Sequence, residues 1–235
     1  MKVKSLDHCV EQLRTNRATL LLVSMTAGTL IGTAVAIHFL KGVPIGYLMR
    51  DPVVTLHGKF YTGLLSQAGI FFWAATAATC LFAAHMMASW TSTPRFKGFF
   101  TVFGIISLLL GLDDVFLLHE EVFPHIGIRE EVVFVGYAGI SLVSLFAFRS
   151  LILTTDYLLL VAAACFFGAS LTIDEIDGLI DLDRYIRARI LFEDGAKLVG
   201  LLFWFAYFFR SAAFAIHSNT GQYEAVSDDH AAPLN

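Results

Sequence analysis

The sequence predicts an all-α protein, a polytopic integral membrane bundle of six transmembrane helices. Three observations carry that prediction. The 235 residues are 57% hydrophobic and only 15% charged, whereas soluble domains carry about 25% charged residues. The apolar residues are gathered into long runs, and mean hydropathy reaches +0.69, the pattern of spanning helices. Once those runs are removed, no stretch of useful size remains for a soluble domain.

The first run covers residues 18–40. It follows a short N-terminal segment, 1–17, with Lys2, Lys4, Arg14 and Arg17 but also Asp7 and Glu11. Acidic residues interrupt the basic region and the run is long enough to span, so it reads as a retained helix rather than a cleaved signal. The connector 41–62 holds Pro44, Pro52 and Gly58 together with Arg50, Asp51, His57 and Lys59, which suits an interfacial loop or short surface helix.

Further spans are expected over 63–89, 99–118, 132–150, 157–176 and 191–212. Each is near the ~20 residues that cross a ~30 Å hydrocarbon core at about 1.5 Å per residue. The short connections 90–98 and 151–156 make their flanking helices natural antiparallel neighbours. The transmembrane domain thus covers 18–212, and 213–235 is a polar C-terminal tail, acidic beyond Ser218 and expected to be mobile.

Composition also excludes some functions. The net charge of -4, with no long basic block, argues against nucleic-acid binding. Cys9, Cys80 and Cys165 lack paired spacing, so a disulfide framework or thiolate metal site is not expected. The 22 phenylalanines read first as lipid-facing and interhelical packing, ahead of a pigment or quinone pocket.

Orientation rests on the basic residues, which divide almost evenly. The N-terminal cluster and the Arg95–Lys97 loop favour both termini in the cytoplasm, against the pull of Arg184, Arg187 and Arg189. That trio reads first as a headgroup contact.

Helix parity yields the strongest functional signal. It gathers Asp113, Asp114, Glu120, Glu121, Glu130, Glu131, Asp174, Glu175, Asp177, Asp181, Asp183, Glu193 and Asp194 at one side of the bilayer. The other side receives Asp7, Glu11, Asp156 and the tail acids. With the termini inside, the acidic side is non-cytoplasmic.

The third span ends LLLGLDDVFLLHEEVFPH. On a continuous helix Asp113 aligns with Glu120 and Asp114 with Glu121, on two levels about 10 Å apart. His119 would point away from the Asp113–Glu120 line, and Pro124 would end or bend the helix near Phe123. Asp113 and Asp114 precede four apolar residues, so they are expected below the headgroups, where an ionised carboxylate is costly without a compensating group. The carboxyl end of a helix dipole does not favour them either.

The site expected from sequence therefore places Asp113, Asp114, Glu120 and Glu121 in acid–base roles. Asp113, Asp114, Asp174, Asp177, Glu193 and Asp194 are the expected metal ligands, with Lys197 compensating charge beside Glu193 and Asp194. His57, His119 and His125 are further candidate ligands. Oxygen ligands of this kind suit a divalent cation such as Mg²⁺, Ca²⁺ or Mn²⁺, and histidine would admit Zn²⁺.

Two functions fit. One is transport of a divalent cation or protons through a one-sided carboxylate vestibule. The other is a metal-dependent membrane enzyme that hydrolyses or modifies a lipid, although no nucleophile elbow or phosphate-binding glycine loop marks a reaction. A noncatalytic membrane-complex subunit is a third reading. Membrane lipids are the expected partners, with a homo-oligomer or larger membrane assembly as further expectations.

Overall fold

The computed structural model describes residues 11, 14–59, 61–89, 94–179 and 186–230. The chain divides into two compact units, Met1–Thr62 and Gly63–Asn235. In the first unit α1 runs over Arg17–Lys41, 25 residues without proline. At the standard rise this is about 37 Å, enough to cross the hydrocarbon core. Gly42 ends it in a left-handed turn at φ 68°, donating its N–H back to the His38 carbonyl. The expected connector holds two short helical pieces, Ile45–Met49 and Pro52–Thr55. Asp51 caps the second by accepting the Val54 N–H at 3.1 Å.

The second unit contains α2 (Leu64–Met86), α3 (Pro94–Phe116), α4 (Glu130–Ala147), α5 (Tyr157–Leu179) and α6 (Ile186–His230). Helix α2 is central, packing against α3 on one side and α6 on the other, and α6 in turn packs along α5. Helix α4 touches α3 more lightly. The protein is therefore all-α and polytopic in character. Among the described residues five helices are long and apolar enough to cross a membrane: Arg17–Lys41, Leu64–Met86, Pro94–Phe116, Glu130–Ala147 and Ile190–Ser218. The hydropathy of the sequence predicts six. The remaining one, 157–176, forms a helix of 23 residues, but its apolar described stretch is the shorter Tyr157–Ile173.

Two boundaries move. The third span stops at Phe116 rather than near 118, for a reason that shapes the site. Helix α6 continues beyond residue 212 to His230. Neither glycine nor proline breaks the chain between 212 and 220, and Ala212 and Ala215 are still buried.

The core explains much of the phenylalanine content. Phe99, Phe100 and Phe103 of α3 and Tyr207 and Phe208 of α6 are fully buried. Phe103 lies 5.1 Å from Phe208, and Trp204 lies 4.9 Å from Phe208 in an edge arrangement, both favourable ring geometries. In lipid, packing rather than water exclusion drives helices together, so close approach by small residues matters. A Cβ at Gly104 would stand 2.9 Å from Leu81 Cγ and 3.1 Å from Cys80 Cβ, so α2 and α3 meet where that glycine permits it. Cys80 is buried as an apolar residue, Cys165 is exposed, and Cys9 lies outside the described residues.

Polar contacts also tie α6 to the segment that precedes α5. Arg210 Nε meets Asp156 Oδ2 at 2.6 Å, and the Thr155 and Tyr207 hydroxyls lie 2.9 Å apart.

Candidate functional site

The site is built where α3 breaks. Leu117 takes a left-handed conformation at φ 49° and ψ 46°, rare and costly for a residue with a Cβ. A π-turn follows over Leu118–Val122, in which Glu121 and Val122 both donate to the Leu117 carbonyl. The short helical turn Phe123–His125 carries Pro124 near its start. The chain thus turns seven residues before the proline that sequence analysis took as the breaker.

This break reverses the expected direction of His119. Its backbone N–H donates to Asp113 Oδ1 at 3.0 Å, and its ring Nδ1 meets Asp113 Oδ2. Tyr137 of α4 donates its hydroxyl to Asp113 Oδ1 at 3.1 Å. Asp113 is 4% exposed and His119 7%. The imidazole rests against the Phe134 ring, with centroids 4.7 Å apart. Its other nitrogen, Nε2, lies 3.4 Å from Glu120 Oε1. Only a continuous helix would have pointed His119 away from Asp113, and the left-handed Leu117 removes that continuity.

Asp114, the next residue, faces another set of groups. Trp73 of α2 donates its indole N–H to Oδ2 at 2.9 Å, and Lys197 of α6 donates its ammonium to Oδ1 at 2.8 Å. Gly111 lets the indole come close, since a Cβ there would stand 2.9 Å from Trp73 Cβ. The ring stacks on Phe167 of α5 at 5.9 Å between centroids. Asp114 therefore ties α2, α3 and α6 together.

The other expected site residues are distributed as follows. Glu120 and Glu121 do not share one helical face with Asp113 and Asp114, because α3 ends before them. Glu121 and His125 are exposed. Lys197 pairs with Asp114 rather than with its own helical neighbours Glu193 and Asp194. The Glu193 backbone carbonyl accepts the Ser170 hydroxyl at 3.0 Å, tying α5 to α6; Asp194 is exposed. Gly195 has open space around its Cβ position, so it serves no close approach. The Asp174 and Asp177 side chains lie outside the described residues, as do those of Arg184, Arg187 and Arg189. His57 belongs to the first unit, in a left-handed turn at φ 55°. Among the described residues no three His, Cys, Asp or Glu side chains stand close enough to share a metal ion.

Tyr137 and Trp73 are the site residues that sequence reasoning missed. Neither stands out in an apolar run, since each has an ordinary packing role there. The available signal was energetic: a carboxylate below the headgroups needs donors from neighbouring helices, and Tyr and Trp in an apolar run each carry one.

A helical polytopic membrane protein with two adjacent carboxylates held in separate polar networks is the class that fold and site define. The chain belongs to the family described as "Domain of unknown function (DUF8692)", whose model matches residues 18–211. No curated protein and no solved structure matches it. The matched span contains Trp73, Asp113, Asp114, His119, Tyr137 and Lys197.

Proposed function

We propose that Asp113, His119 and Glu120 form a proton-exchanging relay in a six-span membrane protein, serving proton-coupled cation transport. The observation that carries this reading is one imidazole set between two carboxylates of opposite exposure. The Asp113 side chain is 5% exposed, that of His119 9% and that of Glu120 53%. A proton taken up at Glu120 passes to His119 Nε2 while Nδ1 releases its own to Asp113 Oδ2. The imidazole is left as the other tautomer and returns by exchange or ring rotation. Histidine suits this step because its proton exchanges nearest neutral pH among side chains.

Protons fit the site better than a divalent ion. The Asp113 oxygens already take three donors and those of Asp114 two. A divalent cation would have to displace them, and the reading would then lean on Asp174 and Asp177. A lipid-modifying enzyme would use the same Asp113–His119 pair as a general base. That reading is less supported, because Nε2 faces a carboxylate rather than an open cleft. The six-span arrangement takes α5 as the additional crossing, since its 23 residues extend about 34 Å. Both termini then share the cytoplasmic side and the relay opens to the other.

Proton flux in liposomes containing the full chain and an internal pH dye tests the proposal. The wild type is expected to dissipate an imposed gradient faster than empty liposomes. Asp113→Asn and His119→Gln are expected to abolish most of that flux, and Glu120→Gln to slow it. Wild-type flux equal to that of empty liposomes would reject the relay and leave a structural or assembly role for the acids.

A further inference from the structure

The break in α3 runs against what its own residues favour. Neither glycine nor proline lies between Leu112 and Phe123, and a leucine in the left-handed region is unfavourable. By local preference alone α3 would continue straight to Phe123 and stop before Pro124. Tertiary contacts hold the broken form instead. Asp113 takes the His119 N–H and ring, Phe134 backs the imidazole, and Tyr137 fixes the carboxylate. Phe134 and Tyr137 both belong to α4, which touches α3 lightly.

The straight form has a defined consequence for the site. At about 100° per residue, His119 turns about 120° away from Asp113. That direction continues the stripe of Ile105, Leu108, Leu112 and Val115, all exposed on the outer side of α3. Straightening therefore carries the imidazole from the buried carboxylate to the outside of the helix. Glu120 then lines up with Asp113 but two turns along, about 10 Å away and too far for direct proton transfer.

We propose that the turn at Leu117 is a switch between these two forms and that it gates the relay. Proton exchange runs while the helix is broken and His119 is latched to Asp113, and stops when the helix straightens. As regulation of the relay this rests on the proposed function; the two forms of the turn do not. Opposed local and tertiary preferences are what a two-state element requires, and π-turns and strained residues gather at such places.

The test is acylation of His119 by diethyl pyrocarbonate in the detergent-purified full chain at fixed pH, read by mass spectrometry with exposed His57 as internal reference. Leu117→Gly relaxes the left-handed residue and weakens the straight helix, and is expected to slow His119 modification severalfold below the wild type. Leu117→Val resists the left-handed conformation and is expected to speed it severalfold. A maleimide directed at fully buried Cys80 reports general unfolding separately. A Leu117→Gly rate no slower than the wild type overturns the switch, and that comparison decides the matter even if Leu117→Val fails to fold. In the liposome assay Leu117→Gly is expected to keep proton flux and Leu117→Val to lose most of it. The two proposals fail separately: opposite shifts in labelling without wild-type flux remove the relay and leave the switch. Wild-type flux with unshifted labelling removes the switch alone.

Discussion

Asp113 holds His119 twice, by the backbone N–H at Oδ1 and by the ring at Oδ2. The residues are six apart, a separation at which a continuous α-helix would not bring them together. The contact exists because Leu117 leaves the right-handed region and the chain returns toward its own last turn. One carboxylate thus orients an imidazole and closes the end of a membrane helix.

The first prediction concerns that closure. Leu117→Val places a β-branched residue at a left-handed φ and is expected to destabilise the protein by about 1 kcal/mol or more. Leu117→Gly is expected to be tolerated, since glycine adopts that conformation freely. Thermal unfolding in detergent compares the two, and equal loss in both would mean that backbone strain is not the governing factor.

Asp113→Asn should also act on stability. The amide keeps the size of the carboxylate but offers one acceptor oxygen where three donors converge. With one or more buried donors unsatisfied, a loss of about 1–3 kcal/mol is expected. Tyr137→Phe, which removes a single donor and leaves the others in place, should cost less. Denaturation midpoints of the two variants check the order.

The Asp114–Lys197 pair lends itself to a double-mutant cycle. Lys197→Met leaves Asp114 with the indole alone and is expected to destabilise the bundle. Adding Asp114→Asn should recover part of that loss, because the uncompensated charge is gone. The half-exposed ammonium keeps the coupling modest, on the order of 1 kcal/mol. Strictly additive effects would show that the pair contributes nothing to stability.

Two glycines should respond in opposite directions. Gly104→Val drives a side chain into Leu81 and Cys80 and is expected to cost roughly 1–3 kcal/mol by forcing α2 from α3. Gly195→Ala meets open space within α6 and is expected to gain roughly 0.5–1 kcal/mol through helix propensity. Melting temperatures of the two variants measured side by side would test both.

The helices and the acidic segment were legible in the sequence because each depends on local information. A run of apolar residues of membrane length must satisfy its backbone internally, so helix is the only outcome open to it. The two aspartates were legible because an acid that precedes four apolar residues is conspicuous. The direction of each side chain was not legible. Whether Lys197 serves Glu193, Asp194 or Asp114 depends on which helix lies opposite, and helical spacing supplies only the intrahelical options. The π-turn was hidden as well, since Pro124 offered a plausible break and Leu117 carries no mark of a left-handed residue.

By itself the sequence determined that this chain is helical and built for the bilayer, and it marked Asp113 and Asp114 as acids in need of partners. Hydropathy and helix period are properties of contiguous residues and need no partner. Tertiary structure decided that Asp113 belongs to His119 and Tyr137 while Asp114 belongs to Trp73 and Lys197. Those donors come from separate helices and from a chain reversal, and only packing brings them within hydrogen-bond distance of carboxylates that could not remain there unpaired.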